Sequence, residues 1–309
     1  MTKLIIQIPA YNEEATLEVA LNALPKVLDG IDVIETLVID DGSKDNTVEV
    51  AKKNGVNHII SLERNLGLAK AFMAGIKASV SLGADIIVNT DADNQYDARY
   101  IKDLIKPILE NKADIVIGAR PISKIKHFSL VKKILQKIGS WVVRLFSSTD
   151  VEDAPSGFRA MSAMAAKEIN IYDNFTYTLE MIIQSKVKGL RLKSVPVDVN
   201  EDLRPSRLFK NYIQYSLRSM FTIIRMFIVY RPFRFFAIIA GLFLLVGLIL
   251  GIRFLFYYFT TGGAGHIQSL ILSAICLIVG FQTILLAVIS DLLAVNRRIL
   301  EDLKNKSKN

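Results

Sequence analysis

The sequence predicts an α/β fold: a mostly parallel sheet with flanking helices, followed by amphipathic interface helices and a two-helix transmembrane hairpin. Three observations carry that expectation. Before Arg231, short apolar runs alternate with amphipathic stretches, as strands joined by crossover helices do. Polar and turn-forming residues end three of the apolar runs, at Pro9–Glu14, Asp40–Ser43 and Asp91–Gln95. The hydrophobic content is 51%, and its surplus is concentrated after Arg231.

Taken in order, residues 3–8 and 34–40 read as the first two strands, with a helix over 14–28 between them. Residues 47–54 are expected to be helical, 58–62 a strand, 68–82 a helix and 84–90 a strand. A helix over 98–111 leads to a strand at 114–118. Strands separated by helices imply parallel pairing. Residues 128–146 place Phe128, Val131, Leu135, Ile138, Val142 and Leu145 at steps of three and four, with Lys132, Lys133, Lys137 and Arg144 around the stripe. Such a helix suits either a membrane interface or the surface of a core. Residues 208–230 carry Lys210, Arg218 and Arg225 and run into the first long apolar segment, which favours the interface.

The two long apolar segments follow. Residues 235–252 are unbroken by charge and continue apolar past Arg253 to Phe259, while residues 267–289 carry no charge until Asp291. Each is near or above the roughly 20 residues needed to cross a bilayer. The connection Thr260–His266 has three glycines and no Lys or Arg. Arg225, Arg231 and Arg234 precede the first segment, and Arg297, Arg298, Lys304, Lys306 and Lys308 follow the second. The basic bias predicts a multi-pass protein of the cell membrane with both termini and the catalytic region cytoplasmic. No cleaved leader is visible, since Met1 runs directly into a strand-like segment. The expected organisation is therefore a domain over 1–207, an interface helix over 208–232, a hairpin over 233–293 (spans about 235–259 and 267–290) and a basic tail over 294–309.

Net charge is +8. Anionic lipid headgroups account for it, no nucleic-acid motif is present, and nucleic acid is not expected as a partner. The single Cys276 lies inside the second apolar segment and excludes an intrachain disulfide or a cysteine metal site. His58, His127 and His266 show no ligand spacing.

The junction at Asp91-Ala92-Asp93-Asn94-Gln95 offers two carboxylates and an amide oxygen at the carboxyl end of an expected strand. Ligands bind at that edge of open α/β sheets. An oxygen-only set suits Mg2+ or Mn2+, which can in turn hold a diphosphate. A lone Asp-x-Asp is commonly a turn or cap, and Asn12, Ser43 and Asp45 could likewise cap helices. Three acidic clusters along one edge are harder to explain that way, because like charges repel unless a cation or donors lie between them.

Pro9-Ala10-Tyr11-Asn12-Glu13, Asp40-Asp41-Gly42-Ser43 and Asp91-Ala92-Asp93-Asn94-Gln95, in that order, resemble glycosyltransferase family 2 with its GT-A, Rossmann-like fold. Gly118-Ala119-Arg120, Asp153-Ala154-Pro155-Ser156-Gly157-Phe158-Arg159 and the two trailing spans resemble its dolichyl- and polyprenyl-phosphate hexosyltransferases. The motifs cover about residues 3–210 and the architecture 211–300. The resemblance implies that Pro9, Tyr11, Glu13, Asp41 and Asp91 bind the nucleotide sugar, and that Asp91, Asp93 and Gln95 hold the divalent ion. Asp91, Asp93 and Arg120 would be the catalytic residues. The acceptor phosphate would be met by Arg120, Lys132, Ser156, Arg159, Arg204, Ser206 and Arg207. For Arg120 an ordinary ion pair is the alternative. Arg204-Pro205-Ser206-Arg207-Leu208 stands where these enzymes often carry Gly-x-Ser-Lys-Leu, so the acceptor contacts there are expected to differ in detail.

The implied partners are a nucleotide-sugar donor, a polyprenyl or dolichyl phosphate and the membrane, with the hairpin either anchoring the chain or joining copies of it. GDP-mannose, UDP-glucose and UDP-N-acetylglucosamine are all compatible donors. Two other functions were open: a processive polysaccharide synthase, or a non-catalytic lipid-handling scaffold on the same fold. The first expects Gln-x-x-Arg-Trp, whereas the only tryptophan, Trp141, follows Gly139-Ser140. The second expects eroded acidic positions, yet Asp41, Asp91, Asp93 and Gln95 are intact.

Overall fold

The computed structural model describes residues 1–121, 151–171, 177–200, 221, 224–225, 227–262 and 265–306. The chain divides into two compact units, Met1–Ile223 and Ile224–Asn309. The expected amphipathic helix at 128–146, and most of the one at 208–230, lie outside the described residues.

The first unit is built on seven strands: β1 (Lys3–Ala10), β2 (Val33–Asp40), β3 (His58–Ser61), β4 (Ile86–Asn89), β5 (Ile115–Ala119), β6 (Arg159–Ser162) and β7 (Leu192–Pro196). They pair in the order β3-β2-β1-β4-β6-β5-β7. β1 is parallel to both β2 and β4, and β2 to β3. Helices α1 (Leu17–Asn22), α2 (Thr47–Lys53), α3 (Leu68–Ser81), α4 (Ile101–Leu109), α5 (Ala163–Glu168) and α6 (Tyr177–Val187) flank the sheet. Two large apolar clusters and a smaller one around Ile117, Val151 and Ile182 form the core, Leu4, Ile6 and Ile8 of β1 entering the first and Ile5 the second. Alternate residues of a strand face opposite sides of the sheet, so β1 is buried on both and reads as a nearly continuous apolar run.

One expectation needs correction, and one strand was not anticipated. The helix expected over 14–28 is only Leu17–Asn22. Pro25 disfavours helical geometry at Leu24 before it, although Leu24 and Leu28 still pack on the core. The sheet is mostly parallel, as expected, with one exception. β6, whose short Arg-Ala-Met-Ser sequence has no strand signature, runs antiparallel between β4 and β5. Its register sets Arg159 opposite Asn89, the last residue of β4. The loop entering β6 therefore reaches the same sheet edge as the loops leaving β1, β2 and β4.

Glycine is required at Gly42 in the loop after β2. Its φ is +72°, and a Cβ there would lie 2.6 Å from the Arg64 carbonyl carbon. The loops after β1 and β2 are tied together across this turn. Asn12 donates its amide to Ser43 Oγ at 2.9 Å, Lys44 donates to Asn12 Oδ1 at 2.8 Å, and Glu13 donates to Thr47 Oγ1 at 2.8 Å.

The second unit holds α7 (Pro232–Thr261) and α8 (Ile267–Lys306). Both are long and apolar enough to cross a membrane. Pro232 starts α7, where the missing N–H costs nothing, and Gly262 ends it in left-handed geometry at φ +75°. The helices approach closely at small residues. A Cβ on Gly247 would lie 2.9 Å from Leu277 Cγ, and one on Gly280 would lie 2.8 Å from Leu244 Cγ. Ser273 Oγ donates to the Gly247 carbonyl at 2.6 Å. Ser273, Gly280, Ala287 and Ala294, buried at steps of seven, form the face of α8 turned to its partner. Small residues with interhelical hydrogen bonds are how helices associate where lipid removes the hydrophobic driving force.

Candidate active site

β4 delivers its carboxyl-end residues to the edge that β1 and β2 share. Thr90 donates its amide to the Gln7 carbonyl, prolonging the ladder by one residue, and the chain then turns. Asp93 Oδ1 accepts the Gln95 amide at 3.1 Å, and Asn94 sits at φ +56°. Tyr96 then bridges to Val199, and Asp97 caps the short turn Ala98–Tyr100 by accepting from the Arg99 amide. Asn94 and Asp97 are thus residue types suited to a tight turn and a helix start.

Asp91 lies where negative charge converges. Its acid is pushed up to about 7, first by burial, then by the Asp93 carboxylate, with Glu13 adding to the effect and Arg120 opposing it. Carboxylates crowded in this way favour a proton or a cation between them. The donors are all oxygens, and the Gln95 amide lies two residues beyond Asp93, so the residue types fit a hard divalent ion. Among the described residues no group of three or more His, Cys, Asp or Glu side chains could hold a metal. An ion at this edge would therefore take ligands beyond the protein's carboxylates, as Mg2+ does when it shares a site with substrate phosphates.

The loop 153–158 closes over this edge and is held from three sides. Arg120, just past β5, makes a bidentate pair with buried Asp153, Nε to Oδ2 at 2.6 Å and Nη2 to Oδ1 at 3.1 Å. Burial works against the guanidinium's charge, but Tyr96 and Asp153 outweigh it and raise its pKa. The Tyr96 ring stacks on Phe158 at 5.1 Å and lies 5.7 Å beneath the Arg120 guanidinium. Tyr96 Oη accepts the Gly157 amide at 2.9 Å. The Gly157 carbonyl accepts from Asn89 Nδ2 at 2.9 Å and from Tyr177 Oη at 3.4 Å. Asn89 Oδ1 in turn accepts from Gln7 Nε2 at 2.9 Å. A Cβ on Gly157 would lie 3.0 Å from Asp91 Oδ1 and 3.1 Å from Tyr177 Oη. Glycine is therefore what lets this loop lie against the Asp91 carboxylate.

Several expected site residues have partners within the protein. Arg159 is wholly buried and donates to the carbonyls of Ser156, Ala154 and Thr178 at 2.8, 2.7 and 2.9 Å. Burial lowers its pKa to about 10. It braces the loop from beneath and offers no exposed charge to an acceptor phosphate. Ser156 is likewise fully buried. Arg120 has the ion-pair partner that was its alternative role, while remaining electrostatically coupled to Asp91. The Asp41 carboxylate is buried and accepts the amides of Leu66 and Gly67 at 2.7 and 2.8 Å, pinning the entrance of α3. Pro9 is interior to β1, Tyr11 is exposed just beyond it, and Glu13 is buried, accepting from Thr16 Oγ1 at 2.8 Å. Lys132, Arg204, Ser206 and Arg207 lie outside the described residues.

Gln7, Asn89, Tyr96, Asp153 and Tyr177 were not anticipated as site residues. Asp153 and Tyr96 border the motifs and could have been found there. Gln7 and Asn89 carried a weaker sign, each a polar residue inside an otherwise apolar strand. Tyr177 carried none.

The sheet is mostly parallel with one antiparallel insertion, and a loop is clamped over the crowded acidic edge at the end of β4. The family model described as "Glycosyl transferase family 2" matches residues 5–169, more than half of the chain. A UDP-N-acetylglucosamine–dolichyl-phosphate N-acetylglucosaminyltransferase of Methanococcus voltae is 32% identical over 211 residues, 62% of this chain and 82% of that protein. An undecaprenyl-phosphate mannosyltransferase of Micrococcus luteus is 26% identical over 212 residues, 65% of this chain and 85% of that protein. Among solved structures, glucosyl-3-phosphoglycerate synthase from Mycobacterium tuberculosis, crystallised with Mn2+, UDP and glucosyl-3-phosphoglycerate, aligns with a TM-score of 0.56. That alignment covers 74% of this chain and 79% of the other at 18% identity, and it speaks to the fold. The chain belongs to glycosyl transferase family 2 and is a glycosyltransferase.

Proposed function

We propose that this glycosyltransferase moves a hexose from a nucleotide sugar to the phosphate of a polyprenyl lipid, dolichyl or undecaprenyl, at the cytosolic face of the membrane. The observation that carries the proposal is the Asp91–Asp93–Gln95 edge, in a chain that also has two helices long and apolar enough to cross a bilayer. The named relatives support a lipid phosphate as acceptor and leave the sugar open, one being an N-acetylglucosaminyltransferase and the other a mannosyltransferase.

Tyr11, exposed past β1, would offer its ring to the nucleoside, and Pro9, Glu13 and Asp41 are assigned to the nucleotide sugar on the strength of the family resemblance. Asp91, Asp93 and Gln95 would hold Mg2+ or Mn2+. That ion supplies charge to offset the leaving diphosphate. A lipid monophosphate is largely dianionic near pH 7, by analogy with phosphoserine, and is already a nucleophile. No general base or acyl-enzyme machinery is required of the chain. What its residues must do is bring two anions together and align them. Arg120, held rigid by Asp153, supplies positive potential beside Asp91. Direct phosphate contacts are assigned to Lys132, Arg204, Ser206 and Arg207 on the strength of the family resemblance. Attack by the phosphate oxygen on the anomeric carbon, opposite the leaving diphosphate, inverts that centre.

The test is a donor panel of GDP-mannose, UDP-glucose and UDP-N-acetylglucosamine, given to the full chain in membranes with dolichyl or undecaprenyl phosphate. Glycolipid should form with stoichiometric nucleoside diphosphate release. Chelation should abolish it and Mg2+ or Mn2+ restore it. Asp93→Ala should lower turnover by about a hundredfold or more. Full turnover in that variant, or in chelator, would remove the metal assignment.

A further inference from the structure

We infer that α8 is a two-fold interface through which two copies of this chain associate within the membrane, their Gln282 side chains hydrogen-bonding to each other across the seam. The inference does not depend on which sugar or lipid is used.

α8 has two long faces. One, at Ser273, Gly280, Ala287 and Ala294, is buried against α7. On the other side, exposed positions recur at alternating steps of four and three from Ile271 to Leu303, through Ile275, Ile278, Gln282, Leu285, Ile289, Leu292, Asn296 and Ile299. That is a heptad seam, the pattern by which two helices pack side by side over a long distance. It outlasts the bilayer: α8 has 40 residues, about 60 Å at 1.5 Å per residue, against a hydrocarbon core of about 30 Å.

An apolar seam facing lipid is ordinary, and apolar character alone does not join helices in a membrane. The two polar residues distinguish this one. Gln282 lies nine residues before Asp291, the first charge of the helix, about 13 Å into the apolar run. It is exposed and makes no hydrogen bond to any described residue. Acyl chains offer its amide no partner, and a bare amide in hydrocarbon is costly. Two copies in one membrane share an orientation, so a two-fold axis along α8 sets each residue against its own counterpart. A carboxamide both donates and accepts and so satisfies an identical carboxamide. Asn296, also exposed and without a hydrogen bond to a described residue, falls two heptads further on in the same seam. A lone Asn at such a position fixes register and pair formation in coiled coils.

Because Cys276 is the only cysteine and is buried against α7, single cysteines introduced elsewhere report on proximity without background. In membranes under oxidant, full-length Ile278→Cys, Ile289→Cys and Asn296→Cys should give a disulfide-linked species of twice the chain's mass. Ile284→Cys, exposed but off the seam, and the wild type should not. Gln282→Leu removes the amide from a lipid-facing position without touching the α7 contact. It should weaken association about threefold to tenfold as protein is diluted into lipid, and Gln282→Asn should restore part of it. Equal cross-linking on and off the seam, adducts of another mass only, or a Gln282→Leu protein that associates as tightly as wild type would overturn the inference.

Discussion

Gly157 matters for the side chain it lacks. Asp91 and Tyr177 both crowd the position a Cβ would take, so Gly157→Ala must push the Asp91 carboxylate or the loop aside by a few tenths of an ångström. Misplacement on that scale at a reacting centre is costly even where folding tolerates it. Gly157→Ala should lower kcat about tenfold or more while shifting the melting temperature by only a few degrees, measured by glycolipid formation and a thermal scan. An unchanged kcat would show that the loop has slack. The motif around Gly157 was legible in the sequence, but the job of each residue in it was not. Arg159 has a charge that suggested a phosphate ligand, yet its guanidinium satisfies three backbone carbonyls beneath the loop. A charged residue's type is readable from sequence, whereas the direction in which it points depends on strands paired across 70 residues.

At the scale of elements, α3 shows how one residue serves two segments. Its N-cap, Gly67, has no side chain to accept a backbone amide. Asp41, a residue beyond β2, accepts from Leu66 and Gly67 in its place. Asp41→Ala should therefore destabilise the fold by about 1–2 kcal/mol, near the loss of a good cap, read from denaturation of the detergent-solubilised chain. If stability held while donor affinity fell, Asp41 would be a nucleoside ligand first and a cap second. Helix α3 was expected at 68–82 and is found at Leu68–Ser81, because its apolar period is regular and Gly67 marks its start. Helix α1 was overestimated, because Val27 and Leu28 after Pro25 continue the apolar pattern without continuing the helix. β6 was missed, because four residues that include a buried arginine do not read as a strand until its neighbours supply the ladder.

For the whole molecule, the charge bias across the two apolar helices predicts a topology that labelling can check. A membrane-impermeant maleimide applied to intact cells should modify Thr260→Cys, near the hairpin tip. Lys44→Cys, exposed on the first unit, should react only after permeabilisation. The reverse result would place the acidic edge on the far side and exclude a cytosolic nucleotide-sugar donor. The existence of an α/β unit, the order of its first strands and the two long apolar helices were determined by the sequence itself. Each rests on a pattern local to the chain: the two-residue period of a strand, the 3.6-residue period of a helix, or an apolar run long enough for a bilayer. Tertiary structure alone decided that β6 runs backwards between β4 and β5. It also decided that Arg120 meets Asp153, and that Tyr177, Asn89 and Gln7 stand behind the Gly157 loop. Those pairings join residues from about 20 to more than 80 positions apart, and a periodicity records which face is buried without recording what it is buried against.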